Sequence, residues 1–138
     1  MSLWYLYSVL SMVFGAATVL AVKKAGAAGL SVNATTLYLW GIPAVILLGY
    51  MASRGENIVP AAQKIPILAG VAVFSFLGGI LMNKALYIAP NPGYVAAIVG
   101  ASTLFIVFAS WFFFASEITL IHLAGTLLIV GGVVLMGF

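Results

Sequence analysis

The feature that most constrains this chain is the scarcity of charged side chains along stretches that are otherwise apolar. Only 5% of its 138 residues are charged and 65% are hydrophobic, whereas about a quarter of the residues in a soluble domain are charged. Five basic and two acidic side chains could not cover the surface of a soluble fold of this size. We therefore predict an integral membrane protein whose solvent is mostly lipid.

A helix that crosses a bilayer needs about 20 mainly apolar residues, and the chain contains about five such stretches. The predicted spanning helices cover residues 3–22, 34–51, 65–88, 93–114 and 118–138. The first apolar run has no Lys or Arg before it, so we interpret it as a spanning helix rather than a removable signal peptide. The expected fold class is an all-α membrane protein forming a single transmembrane domain over residues 1–138.

The basic residues of the predicted loops hardly favour either orientation in the membrane. Lys23, Lys24 and Lys84 would lie on one side, and Arg54 and Lys64 on the other. Because basic residues near helix ends set the orientation of short membrane proteins, three against two is a weak preference. This balance suggests a chain that could insert both ways.

Polar residues at membrane depth are the most informative ones, because each needs a hydrogen-bond partner or an aqueous cavity. Helix 3 carries a row at a spacing of four, which places its members on one face: Ser75, Gly79, Asn83 and Tyr87. This face could line a substrate cavity or form a hydrogen-bonded seam between helices. We favour the cavity, because Tyr87 leads to Asn91 and Tyr94 around a proline turn.

Three ionisable side chains near the ends of predicted helices have alternative interpretations. Lys84 could extend its amine to the interface, or it could face a cavity and attract an anionic group. Glu117 could simply favour the N-terminal dipole of the fifth helix, with Ser116 as its cap. The alternative is proton coupling by Glu117 together with His122, one turn deeper.

The sequence offers little for catalysis. It has no cysteine and a single histidine, and it lacks a Gly-rich phosphate loop, a metal-ligand cluster and a nucleophile beside a base. We therefore predict no enzyme activity, no catalytic residues, no cofactor, no metal and no nucleic-acid partner.

The C-terminal part, residues 85–138, resembles the EamA-type drug/metabolite transporter superfamily. The resemblance rests on an Ala-Leu-Tyr end of helix 3, a proline turn, a small-residue helix 4, a glutamate before helix 5 and a Gly-Val-rich end. In this chain these features are 85–87, Pro90, Ala96 and Ala97, Glu117, Gly125 and 131–134. The first helix is similar too, with Phe14-Gly15 where Trp-Gly is frequent and Lys23 or Lys24 where a lysine often follows.

The resemblance implies a half-transporter, because most relatives carry two such units in inverted orientation. A dimer of this single unit, antiparallel if the topology is dual, would move a small metabolite across the cytoplasmic (inner) membrane by alternating access. The partners expected are the lipid bilayer, a small-molecule substrate and a second copy. The alternatives are a non-transporting membrane subunit or assembly factor, and one half of a heterodimer. The predicted substrate-binding residues are Asn83, Lys84, Tyr87, Asn91, Tyr94, Phe14 and Trp40.

Overall fold

A computed structural model describes residues 3–115 and 117–136, and these residues are almost entirely helical. A short 3₁₀ turn, Ala62–Lys64, precedes the third helix. The α-helices are α1 Leu3–Ala27, α2 Val32–Arg54, α3 Ile65–Ile88, α4 Pro92–Gly100, α5 Ser102–Phe114 and α6 Leu120–Met136. The predicted all-α fold class is confirmed.

The ends of the helices follow from local backbone chemistry. Ser31 caps α2 by accepting a hydrogen bond from the Ala34 N–H at 3.2 Å, which satisfies one of the free donors of the first turn. Gly55 ends α2 in the left-handed conformation, with φ of 66°, a conformation that glycine adopts without steric cost. Asn91 caps α4, and Pro92 stands at its first turn, where a missing N–H is tolerated.

Four helices in the described part of the chain are long and apolar enough to cross a membrane: Leu3–Ala27, Val32–Arg54, Ala62–Ile88 and Pro92–Phe114. A shorter apolar helix follows at Leu120–Leu135. Most of the large hydrophobic side chains of these helices are exposed, as expected for surfaces that face lipid or another protein. The chain is therefore a multi-pass membrane protein.

The helices differ in detail from those predicted. The first two extend further than expected, to Ala27 and Arg54. The fourth predicted helix, 93–114, is divided at Ala101, whose N–H is shared between the carbonyls of Ala97 at 3.1 Å and Ile98 at 3.2 Å. The bond to Ile98 tightens one turn, while the bond to Ala97 keeps the ordinary helical pattern, and the two helices together form one apolar span, Pro92–Phe114. The last helix begins at Leu120, and residues 137–138 of its predicted range lie outside the described residues.

The chain divides into two compact units, Met1–Ile88 and Ala89–Phe138. In the first unit, α3 packs on both α1 and α2, and the buried side chains include Val22, Thr36, Asn83 and Leu86. In the second unit, α6 packs on both α4 and α5, and Val95 and Thr126 are buried. The single transmembrane domain stays a prediction.

Candidate functional site

A buried hydrogen bond joins α3 to α2 near one end of the first unit. Asn83 is 3% exposed, and its side-chain Nδ2 donates to Thr36 Oγ1 at 2.9 Å. The Thr36 hydroxyl in turn donates to the Val32 carbonyl at 2.7 Å. Because the only hydrogen of that hydroxyl is used there, Thr36 must act as acceptor toward Asn83. This fixes the orientation of the Asn83 amide and leaves its Oδ1 as an acceptor.

Tyr87, one turn further along α3, contacts both neighbouring helices. Its hydroxyl hydrogen-bonds with the Thr35 hydroxyl and lies 3.4 Å from the Ser31 carbonyl. Its backbone carbonyl accepts a hydrogen bond from Lys23 Nζ at 3.4 Å. The ring packs on Gly26 of α1 so closely that a Cβ there would lie 3.1 Å from it. Tyr87 therefore holds α1, α2 and α3 together at this end.

A third close approach lies deeper, where Trp40 of α2 packs against Gly79 of α3. A Cβ on Gly79 would lie 3.2 Å from the indole ring, so glycine is what lets the ring approach. Trp40 lies eight residues into α2, about 12 Å from its start at 1.5 Å per residue. Tryptophan is usually found at the membrane interface, so this position within a span is unusual.

A groove of about 640 Å³ runs between α2 and α3 beside these contacts. Two polar residues line it near the start of α2, and aromatic and aliphatic residues line the remainder. The lining residues are Asn33, Thr36, Leu37, Trp40, Gly41, Phe76 and Ile80. The groove therefore changes from polar near the helix ends to apolar at depth.

The structure shows what the polar row on α3 does. Gly79, Asn83 and Tyr87 all contact α1 or α2. Asn83 and Tyr87 form an interhelical seam, which is the less favoured of the two interpretations of this face, and the groove lies next to that seam. None of the four residues of the row is among those that line the groove, so the contacts that the structure shows for this face are those of the seam.

Other predicted binding residues are placed differently. Phe14 and Lys84 belong to the same unit but are exposed. Asn91 and Tyr94 belong to the second unit, where the Asn91 Oδ1 accepts the Gly93 N–H at 2.8 Å and the Tyr94 side chain is exposed. Asn83, Tyr87 and Trp40 are the predicted residues that lie together where α2 packs on α3.

The candidates for proton coupling lie around the start of α6. Glu117 is exposed and lines an open cavity of about 470 Å³ with Trp111 and Phe112. His122 Nδ1 lies 2.7 Å from the Thr119 hydroxyl. Thr119 precedes the helix and accepts from the His122 N–H at 3.4 Å, whereas the predicted cap, Ser116, lies outside the described residues. Proton coupling stays a prediction.

Sequence reasoning missed the two threonines of α2 that complete the seam and Gly26 of α1, on which Tyr87 packs. Thr35 and Thr36 do not stand out in the sequence, because they belong to no recognised motif and lie at the start of the predicted helix 34–51. Two adjacent threonines opening an apolar run could have been recognised as hydrogen-bond partners for Asn83. Among the described residues, no group of three or more His, Asp or Glu side chains could hold a metal ion.

These observations define a polytopic helical membrane protein with interhelical polar contacts inside its spans. The model of the EamA-like transporter family matches residues 2–138, nearly the whole chain. The chain therefore belongs to the EamA-like transporter family, whose members are transporters rather than enzymes. No curated protein and no solved structure matches the chain significantly.

Proposed function

We propose that two copies of this chain form a transporter that moves a small metabolite across the cytoplasmic membrane by alternating access. The observation that supports this most directly is the hydrogen-bonded pair Asn83–Thr36, held within the spans beside a groove. Burying polar side chains in a membrane is costly and commonly marks a substrate pathway. Transporters of related design use two inverted units, and this chain supplies one.

We place the substrate site in the first unit, around Asn83, Tyr87 and Trp40, with Thr36 added from the structure. Asn83 lies five residues before the end of α3, about 8 Å along the helix axis, whereas Trp40 lies deeper. Substrate would pass the polar seam and reach the aromatic part of the groove. Lys84, exposed one residue beyond Asn83, lies outside the groove and is kept as a candidate contact for a polar group of the substrate.

The proposed dimer is supported by the exposure of the apolar helices and by the balance of basic residues. Few side chains of the described residues are buried, so one copy leaves extensive surface for a second copy to cover. Arg54 and Lys64 are at one end of the first unit, while Lys23, Lys24 and Lys84 are near the other. This distribution is compatible with insertion in both orientations, which an antiparallel homodimer needs.

A metabolite-release assay tests the transport function directly. Proteoliposomes loaded with a small-molecule cell extract should release one compound faster than protein-free liposomes, as measured by mass spectrometry. Release should fall in Asn83→Ala and Lys84→Ala, whereas Lys24→Ala provides a matched exposed lysine of the same unit. Unchanged release in Asn83→Ala and Lys84→Ala would remove these residues from the site. An absence of release would favour a non-transporting subunit, or a heterodimer that lacks its other half.

Cysteine labelling in intact cells tests the topology. The chain has no native cysteine, so Ala28→Cys and Asn57→Cys report separately on the two loops of the first unit. Labelling of each site in half of the molecules from outside supports an antiparallel homodimer. If one site is labelled completely and the other not at all, every copy has one orientation, and an inverted second half must come from a related chain.

A further inference from the structure

The groove between α2 and α3 has a chemical character that restricts its ligand. Trp40 and Phe76 are the two aromatic residues that line it, 50% and 56% exposed. Flat aromatic surfaces of this kind bind rings and alkyl chains through apolar contact. Its volume of about 640 Å³ falls within the range of sites for small organic molecules.

No ionisable side chain lines the groove in the described part of the unit. Lys84 lies one helical turn beyond Ile80 on α3 but is not among the lining residues. A charged ligand placed here would lose its hydration without gaining a counter-ion, and this is strongly unfavourable. The lining therefore selects against anions and cations alike.

Polar groups are nonetheless available for an uncharged ligand. Asn33 presents an amide at the end of the groove near the start of α2. Within the described residues, the Trp40 indole N–H has no hydrogen-bond partner and can donate to a ligand acceptor. The Thr36 hydroxyl hydrogen is already donated to Val32, so Thr36 can offer a ligand only an acceptor.

We propose that the groove between α2 and α3 binds an uncharged, largely aromatic or aliphatic molecule that carries a hydrogen-bonding group. This inference rests on the proposed transport function and deepens it by naming the substrate class. The apolar body of the ligand lies against Trp40 and Phe76. Its hydrogen-bonding group pairs with the indole N–H or with the Asn33 amide.

Fluorescence quenching of Trp40 tests this inference with defined probes. The substitutions Trp4→Phe and Trp111→Phe leave Trp40 as the only tryptophan. The protein in phosphatidylcholine vesicles is titrated with three nitroxide quenchers: the uncharged benzoate ester of 4-hydroxy-TEMPO, the anion 4-carboxy-TEMPO and the cation trimethylammonium-TEMPO. We expect saturable quenching by the ester alone. Saturable quenching by either charged probe would overturn the inference.

Two glycines of α2 provide a matched pair of variants. Neither Gly41 nor Gly49 has an atom within 4 Å of an added Cβ, and only Gly41 lines the groove. Gly41→Leu should remove the saturable quenching, and Gly49→Leu should keep it. Phe76→Ala against Phe74→Ala is a second pair on α3, in which only Phe76 lines the groove. Phe76→Ala should weaken binding of the ester by roughly tenfold because one aromatic wall is lost.

Other occupants of the groove give distinguishable results. If ester quenching is linear and identical in Gly41→Leu and Gly49→Leu, acyl chains fill the groove and the inference fails. The inference also fails if the ester does not bind saturably to the unsubstituted groove and Gly41→Leu converts a dimer to a monomer. That result would show that a second copy of the chain covers the groove.

The release assay separates this inference from the proposed function. Saturable ester binding without metabolite release would leave the groove site intact and refute transport by this chain alone. Metabolite release that persists in Gly41→Leu, although ester binding is lost, would refute the groove as the substrate site and leave the transport function in place.

Discussion

The two units use their polar side chains in different ways. In the first unit, Asn83 and Tyr87 of α3 hydrogen-bond to Thr36 and Thr35 of α2. In the second unit, the described side-chain hydrogen bonds are local, as between Thr126 and the His122 carbonyl four residues earlier. Hydrogen bonds between helices add specificity to packing in a membrane. In the first unit, these side-chain hydrogen bonds therefore help to determine how α2 and α3 pack on each other. In the second unit, the packing of the described helices depends on how well their apolar surfaces fit together.

The second unit also contains an unsatisfied polar group. The Thr103 hydroxyl oxygen is buried and has no hydrogen-bond partner. Thr103 lies at the centre of the span Pro92–Phe114, two residues after the interruption at Ala101. An unpaired hydroxyl in this position destabilises the folded state. The contrast predicts that equivalent substitutions will have unequal effects in the two units.

The largest difference is expected when the same substitution, Asn to Asp, is made in each unit. In Asn83→Asp, a carboxylate replaces the donor to Thr36, whose own hydrogen is committed to Val32. A charge buried within a span costs about 3 kcal/mol. We expect a loss of about that size in the free energy of unfolding, measured by denaturant titration in micelles.

Asn91→Asp serves as the control, since Asn91 caps α4 by accepting the Gly93 N–H. Aspartate caps a helix as well as asparagine does, and its charge suits the helix N-terminus. The free energy of unfolding should therefore change by no more than about 0.5 kcal/mol. Equal losses in the two variants would show that the Asn83–Thr36 pair does not distinguish the units.

Much of this architecture could be predicted from the sequence, because the helices are set by local properties. The apolar stretches, the Gly55 turn and the Asn91-Pro92 cap are each encoded within a few residues. Asn83 and Tyr87 also stand out, because polar groups are rare within spans. Their partners on α2 were not predicted, because which face of α2 meets α3 depends on the packing of both helices.

The second comparison concerns tyrosines. Tyr87→Phe removes the hydroxyl that bonds to Thr35 and approaches the Ser31 carbonyl. Hydrogen bonds between membrane helices contribute about 0.6 kcal/mol on average, so a double-mutant cycle with Thr35→Val should give a coupling free energy near that value. Tyr94→Phe is the control, because the Tyr94 side chain is exposed and its substitution should leave stability unchanged. A coupling free energy of zero would mean that the hydrogen bond between Tyr87 and Thr35 contributes nothing to stability, and that Tyr87 acts through its other contacts, such as ring packing on Gly26.

The smallest effect, and one of opposite sign, is expected at Thr103. Thr103→Val keeps the shape of the side chain while removing the buried hydroxyl that lacks a partner, so the free energy of unfolding should rise by up to about 1 kcal/mol. In Thr126→Val, the hydroxyl lost is one that already bonds to the carbonyl of His122, and no gain is expected. If Thr103→Val instead destabilises the protein or abolishes dimer formation, the hydroxyl has a partner in the assembled state. The second unit would then also use polar contacts between helices, and those contacts would form only when a second copy binds.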